Sequence, residues 1–226
     1  LANALLLSFP AGDPEAQRLV RKNLRVAPQP GDWSLADCHQ LLARIHQVET
    51  WDELFAGIVL IREIAEGKKT LPTDAEVDLV VTMIGARYPV GSYAQIILNG
   101  LGRHGFLGVL RGMSHTNARV RSECSSFLDH YVKSWDPETY EALECALDDT
   151  NERVRSASLH AMGCMRCKTD TPGDEAIPLF MRGLQDKSAR VRKTALAGLY
   201  QFRGDYRARQ GYLAALHDAH APVRKS

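Results

Sequence analysis

A valine followed by an arginine marks four segments of this chain: ARVRSE at 118–123, ERVRSA at 152–157, ARVRKT at 189–194 and APVRKS at 221–226. The valines, Val120, Val154, Val191 and Val223, stand 34, 37 and 32 residues apart. A period of this size constrains the fold strongly, because it marks supersecondary units that repeat along the chain. Aligned on the valine, the position seven before it holds Met113, Leu147, Leu184 or Leu216, and the position five before it holds His115, Asp149, Asp186 or Asp218. Four after it comes a small residue (Cys124, Ser158, Ala195), eight after it Leu128, Met162 or Leu199, and eleven after it Tyr131, Met165 or Phe202. At 100° per residue these trailing positions share, with the valine, an arc of about 80° on one helix face. That face is the expected core seam. Each unit reads as one helix, a short turn, and a second helix opened by Val-Arg; neither helix can bury its stripe alone, so units must stack.

The remainder of the chain is also helical text. TWDE at 50–53 and TDAE at 73–76 have the capping-box form, in which a threonine hydroxyl and a glutamate three residues later each satisfy a backbone donor. Asp136-Pro137 is a further helix start, since proline at the first helical position gives up no needed donor. Glycine and proline punctuate AEGKKTLP, GARYPVG, NGLGRHG, KTDTPGD and FRGD. The spacing predicts about a dozen helices with short connections. The fold class is therefore all-α, an α-solenoid of stacked antiparallel helix pairs. Residues 1–102 are expected to form degenerate helical repeats and 103–226 regular ones, in one continuous solenoid. The last unit stops as its second helix begins, which implies that the natural chain runs on beyond Ser226 or frays there.

The turn aspartate and the arginine after valine resemble the HEAT repeat family, in the variant also found in phycobilisome lyases. The resemblance is clear over 103–226. It implies a ladder between successive repeats in which Asp149, Asp186 and Asp218 hold Arg121, Arg155, Arg192 and Arg224; His115 departs from the pattern. A bidentate link of this kind also offsets the repulsion between a first-turn arginine and the positive end of its helix. The competing reading, an arginine column that binds phosphates, needs those side chains free. Arg119, Arg153 and Arg190 point to another side and are expected to be solvated or paired.

Composition narrows function mainly by exclusion. The formal charge is +1 overall, from 9 basic and 12 acidic side chains in 1–102 and 19 and 15 in 103–226, a shift too mild to demand a nucleic acid. No apolar run is long enough to cross a bilayer. The opening LANALLLSFPAG lacks a basic n-region and reads as a helix fragment. Five cysteines, an odd number scattered through helices, point to reduced thiols and a cytoplasmic setting. GLGRHG at 100–105 has the G-x-G-x-x-G form, but helical spacing before it and the lack of strands favour a helix C-cap and turn. Trp33, Trp51 and Trp135 fall near helix starts and are expected to pack or cap. No G-x-S-x-G elbow, recurring nucleophile or His-Glu dipeptide is present, so no catalytic residue is assigned and the protein is not expected to be an enzyme.

The remaining candidate is the second-helix face opposite the seam. It comprises Ser122, Ser126, His130 and Lys133; Ser156, His160, Cys164 and Cys167; and Lys193, Ala197 and Gln201. This polar, weakly basic strip, on the expected concave side, suits a polar or acidic protein or peptide, making the chain a non-catalytic scaffold or adaptor. His160, Cys164 and Cys167 offer soft ligands on one side, but a fourth ligand is not evident beyond His130, and neither a metal nor a cofactor is assigned. Two alternatives remain open: nucleic-acid binding through the basic C-terminal half, and an accessory role in chromophore transfer like that of the bilin lyases.

Overall fold

The computed structural model describes residues 2–24, 26, 28–131, 137–164 and 173–225, with Tyr131 in backbone only. Among these residues there are α-helices and short 3-10 turns, and no strand. Contacts divide the chain into two units, Leu1–Gly100 and Leu101–Ser226.

The first unit contains α1 (Ala2–Ser8), α2 (Pro14–Asn23), α3 (Leu35–His46), α4 (Trp51–Ala65), α5 (Asp74–Ile84) and α6 (Val90–Gly100). Local chemistry sets their starts. The Thr73 hydroxyl accepts from the Glu76 amide while the Glu76 carboxylate accepts from the Thr73 amide, a complete capping box. TWDE is only half a box. Thr50 accepts from the Glu53 amide at 3.1 Å, but the Glu53 carboxylate accepts from the amide of Glu49 instead. Ser34 and Asp37 form a second complete box, closed by aspartate in the place of glutamate. The core includes Leu41, Leu54, Val77, Met83, Ile84 and Leu98. Trp33 packs on Phe9 and donates its indole N–H to the Leu5 carbonyl at 3.1 Å. Trp51 stacks on His39, ring centroids 4.3 Å apart. Trp135 lies outside the described residues.

The second unit contains α7 (Arg103–Gly112), α8 (Ala118–Tyr131), α9 (Pro137–Cys145), α10 (Glu152–Gly163), α11 (Ile177–Gly183), α12 (Ala189–Leu199), α13 (Tyr206–Ala215) and α14 (Ala221–Arg224). Helices α7, α9 and α11 each pack on the second helix of their own pair, and α13 packs on α11 and α12. The second helices form a row, α8 on α10, α10 on α12 and α12 on α14. Val120, Cys124, Leu128, Val154, Ser158, Met162, Val191, Ala195 and Leu199 are each at most 1% exposed, so the repeated stripe is the core seam. Phe202 is buried with them, while Met165 and the Tyr131 side chain lie outside the described residues. The polar Ser158 is accommodated by a hydroxyl contact of 3.1 Å to buried Ser125, which also donates to the Arg121 carbonyl. A Cβ added to Gly163 would lie 2.8 Å from the Gly198 Cα, so α10 and α12 meet backbone to backbone there.

The glycines of GLGRHG are placed by helix boundaries. Gly100 ends α6, Gly102 caps the start of α7 with φ of 58°, and Gly105 is buried inside α7. Its last glycine is thus within a helix rather than at a phosphate-binding turn after a strand.

Candidate functional site

The arginine after each seam valine lies across two turns. The Arg121 Nε and Nη2 donate to the two carboxylate oxygens of Asp149 at 2.6 and 2.9 Å, and its Nη1 donates to the carbonyls of His115 and Thr116. Arg155 repeats this with Asp186 at 2.7 and 2.8 Å and the carbonyls of Asp149 and Thr150. Arg192 repeats it again with Asp218 at 2.6 and 2.9 Å and the carbonyls of Asp186 and Lys187. Each arginine thus joins the turn of its own repeat to the turn of the next. Arg224 makes the carbonyl half, donating Nη1 to the carbonyls of Asp218 and Ala219.

The carboxylates are equally committed. Asp149, Asp186 and Asp218 each accept from the backbone N–H two residues onward at 2.7 Å. In the first unit of the series His115 takes that place, its Nδ1 accepting from the Asn117 amide at 3.0 Å. The Arg121 hydrogen bonds hold the Asp149 carboxyl below its ordinary range. Burial pushes Asp186 up, but Arg155 and the Ser188 N–H outweigh it and leave that carboxyl lowered. Asp218 is brought down to about 2, chiefly by Arg192. The neighbouring Arg153 and Arg190 are exposed and Arg119 is half-buried.

The second-helix strip is narrower than the 100° spacing predicts, because α8, α10 and α12 pack edge to edge. His130, His160, Lys193 and Ala197 are exposed, whereas Ser122, Ser126 and Ser156 are half-buried. Ser126 donates back to the Ser122 carbonyl, and the Ser156 and Thr194 hydroxyls meet at 2.9 Å between α10 and α12. Gln201 departs from its expected open position: its amide atoms are buried without a hydrogen-bond partner among the described residues. The reason is local, since Gln201 lies in the 3-10 turn Tyr200–Phe202, where helical spacing no longer applies. Lys133 and Cys167 lie outside the described residues.

Two features lie outside the repeat spacing. Asp129 is only 1% exposed and comes against His160 and Cys164 from the adjacent helix. At the C-terminal end of the row, Leu196, Tyr212, Leu213, Ala215, Leu216 and Val223 line an apolar groove. No described helix is long and apolar enough to cross a membrane.

Stacked helix pairs with a parallel row of second helices, stitched turn to turn by Arg–Asp pairs, define an α-solenoid. Residues 140–226 match the family model described as HEAT repeats. No curated protein matches the chain. Two solved structures align with it. One, of the Pds5–Scc1 complex, aligns with 15% identity and a TM-score of 0.45, covering 99% of this chain and 34% of that one. The other, of an engineered protein, aligns with 16% identity and a TM-score of 0.44, covering 99% of this chain and 61% of that one. The chain therefore spans about a third and about three fifths of those two chains. HEAT repeats are a fold typical of protein-interaction scaffolds.

Proposed function

We propose that this protein is a non-catalytic scaffold that docks a polar or acidic protein segment along α8, α10 and α12. The observation that carries this reading is the commitment of the ladder arginines. In Arg121, Arg155 and Arg192, Nε, Nη2 and Nη1 are all engaged by carboxylate or carbonyl oxygens, and the three side chains are 14%, 6% and 16% exposed. The repeated residues thus hold the scaffold, while variation between copies falls on exposed positions such as His160, Lys193 and Ala197. The same commitment weighs against phosphate recognition by this column, because free guanidinium donors are what it would need. Buried thiols at Cys38 and Cys124 fit a reducing, cytoplasmic setting.

Selection of displayed random peptides on the immobilised full chain tests the docking face. Acidic or polar peptides should be enriched, and Lys193→Glu or Ala197→Trp should weaken them at least ten-fold. Equal binding to both variants would reject this face. A random-sequence DNA duplex should show no tight, steeply salt-dependent binding; such binding would favour the nucleic-acid alternative instead.

A further inference from the structure

We propose that Asp129, His160 and Cys164 form a zinc site bridging α8 and α10. Each residue can offer one ligand atom, and the three atoms all lie within 4.8 Å of one another. Sequence spacing finds His160 and Cys164 on one helix but misses the third member, because Asp129 comes from the neighbouring repeat.

The distances suit shared coordination better than direct hydrogen bonding. His160 Nε2 is 3.5 Å from Asp129 Oδ2, beyond the roughly 2.7–3.2 Å of a good N–H···O bond. Around a tetrahedral zinc with bonds of about 2.0–2.1 Å to nitrogen and oxygen, two such ligands stand about 3.3–3.4 Å apart. Closing on an ion therefore requires almost no movement of this pair. Cys164 caps the end of α10 with an extended backbone.

The donor chemistry selects the ion. One imidazole, one thiolate and one carboxylate form a borderline set that suits zinc, whereas magnesium and calcium call for several oxygen ligands. The carboxylate and thiolate match the two positive charges, and the thiol proton is released on binding. Asp129 is buried, while the His160 side chain is 63% exposed, so solvent water can supply the fourth ligand. His130 is close, its Nδ1 3.6 Å from Asp129 Oδ2. That nitrogen is also 3.0 Å from the Ser126 carbonyl, so this imidazole serves its own helix and is not counted as a ligand.

The site is independent of the docking reading, because zinc alone is the probe. Titration of the reduced, metal-free full chain with zinc, against a chromophoric chelator, should give one ion per chain with micromolar or tighter affinity. His160→Ala, Cys164→Ser and the isosteric Asp129→Asn should each weaken binding at least ten-fold. His160 is exposed, so its variant reads the site without disturbing the core. Cobalt in place of zinc should give a thiolate-to-metal charge-transfer band that Cys164→Ser removes. Absence of binding to the wild-type chain, or unchanged affinity in the His160 and Cys164 variants, would overturn the proposal.

Discussion

Arg155 stands in the first turn of α10, where the helix dipole disfavours a cation by about 0.3–1 kcal/mol, yet its side chain is 6% exposed. The Asp186 carboxylate and two turn carbonyls account for that placement. The paired carboxylates give the ladder an acid limit. Asp218 is held at about 2, against an ordinary value of 3.8, and Asp149 and Asp186 are lowered in the same direction. A lowered folded-state pKa means that the unfolded chain binds protons first, so this stability is fully present above about pH 4 and is lost as pH falls toward about 2. Urea midpoints measured across that interval should fall for the wild type, and the fall should be smaller in Asp218→Asn, which no longer has that carboxylate to titrate. An equal fall in both would show that this pair does not set the acid response. The Arg and Asp positions are legible in sequence because each keeps a fixed distance from a seam valine. Asp129 is not: its burial comes from α10 packing across it, and no periodicity within α8 contains that information. His115 is likewise hidden, since an imidazole accepting from Asn117 performs the aspartate's turn-forming role with different chemistry.

Helices α10 and α12 show what sets the spacing between repeats. They approach closely at Gly163 and Gly198, and Phe180 packs against both positions. Alanine normally favours a helix over glycine by about 0.8–1 kcal/mol, but a methyl group at 163 would meet backbone rather than an adjustable side-chain end. Gly163→Ala should therefore lower stability by about 1–3 kcal/mol, whereas Ala197→Ser, at an exposed position on α12, should stay within about 0.5 kcal/mol. Chemical denaturation of both variants separates tight backbone packing from simple helix propensity. Helix starts are largely readable because caps are local: Thr73 and Glu76 close their box within four residues. TWDE is less informative, since its glutamate has a second backbone donor, that of Glu49, within reach. The width of the accessible strip is less legible still, because helical spacing describes one cylinder and the row of second helices covers its flanks.

In the second unit the repeat converts a local pairing into architecture. Each Arg–Asp pair spans two successive turns, so stability in this unit should depend on neighbour-to-neighbour terms. The regular half is legible because its copies share one register; in the first hundred residues the helices are readable but no Val-Arg frame fixes how they pair. The contacts of Arg121, Arg155 and Arg192 make them structural links between repeats. A double-mutant cycle on Arg155 and Asp186, with urea unfolding of the full chain, tests that role most directly. Arg155→Ala and Asp186→Ala should each cost about 3–5 kcal/mol, because either leaves a largely buried charge without its partner. The double variant should cost less than their sum by about 1–3 kcal/mol. Costs that add within about 0.5 kcal/mol would contradict the claim and return these arginines to the pool of candidate ligand-binding residues.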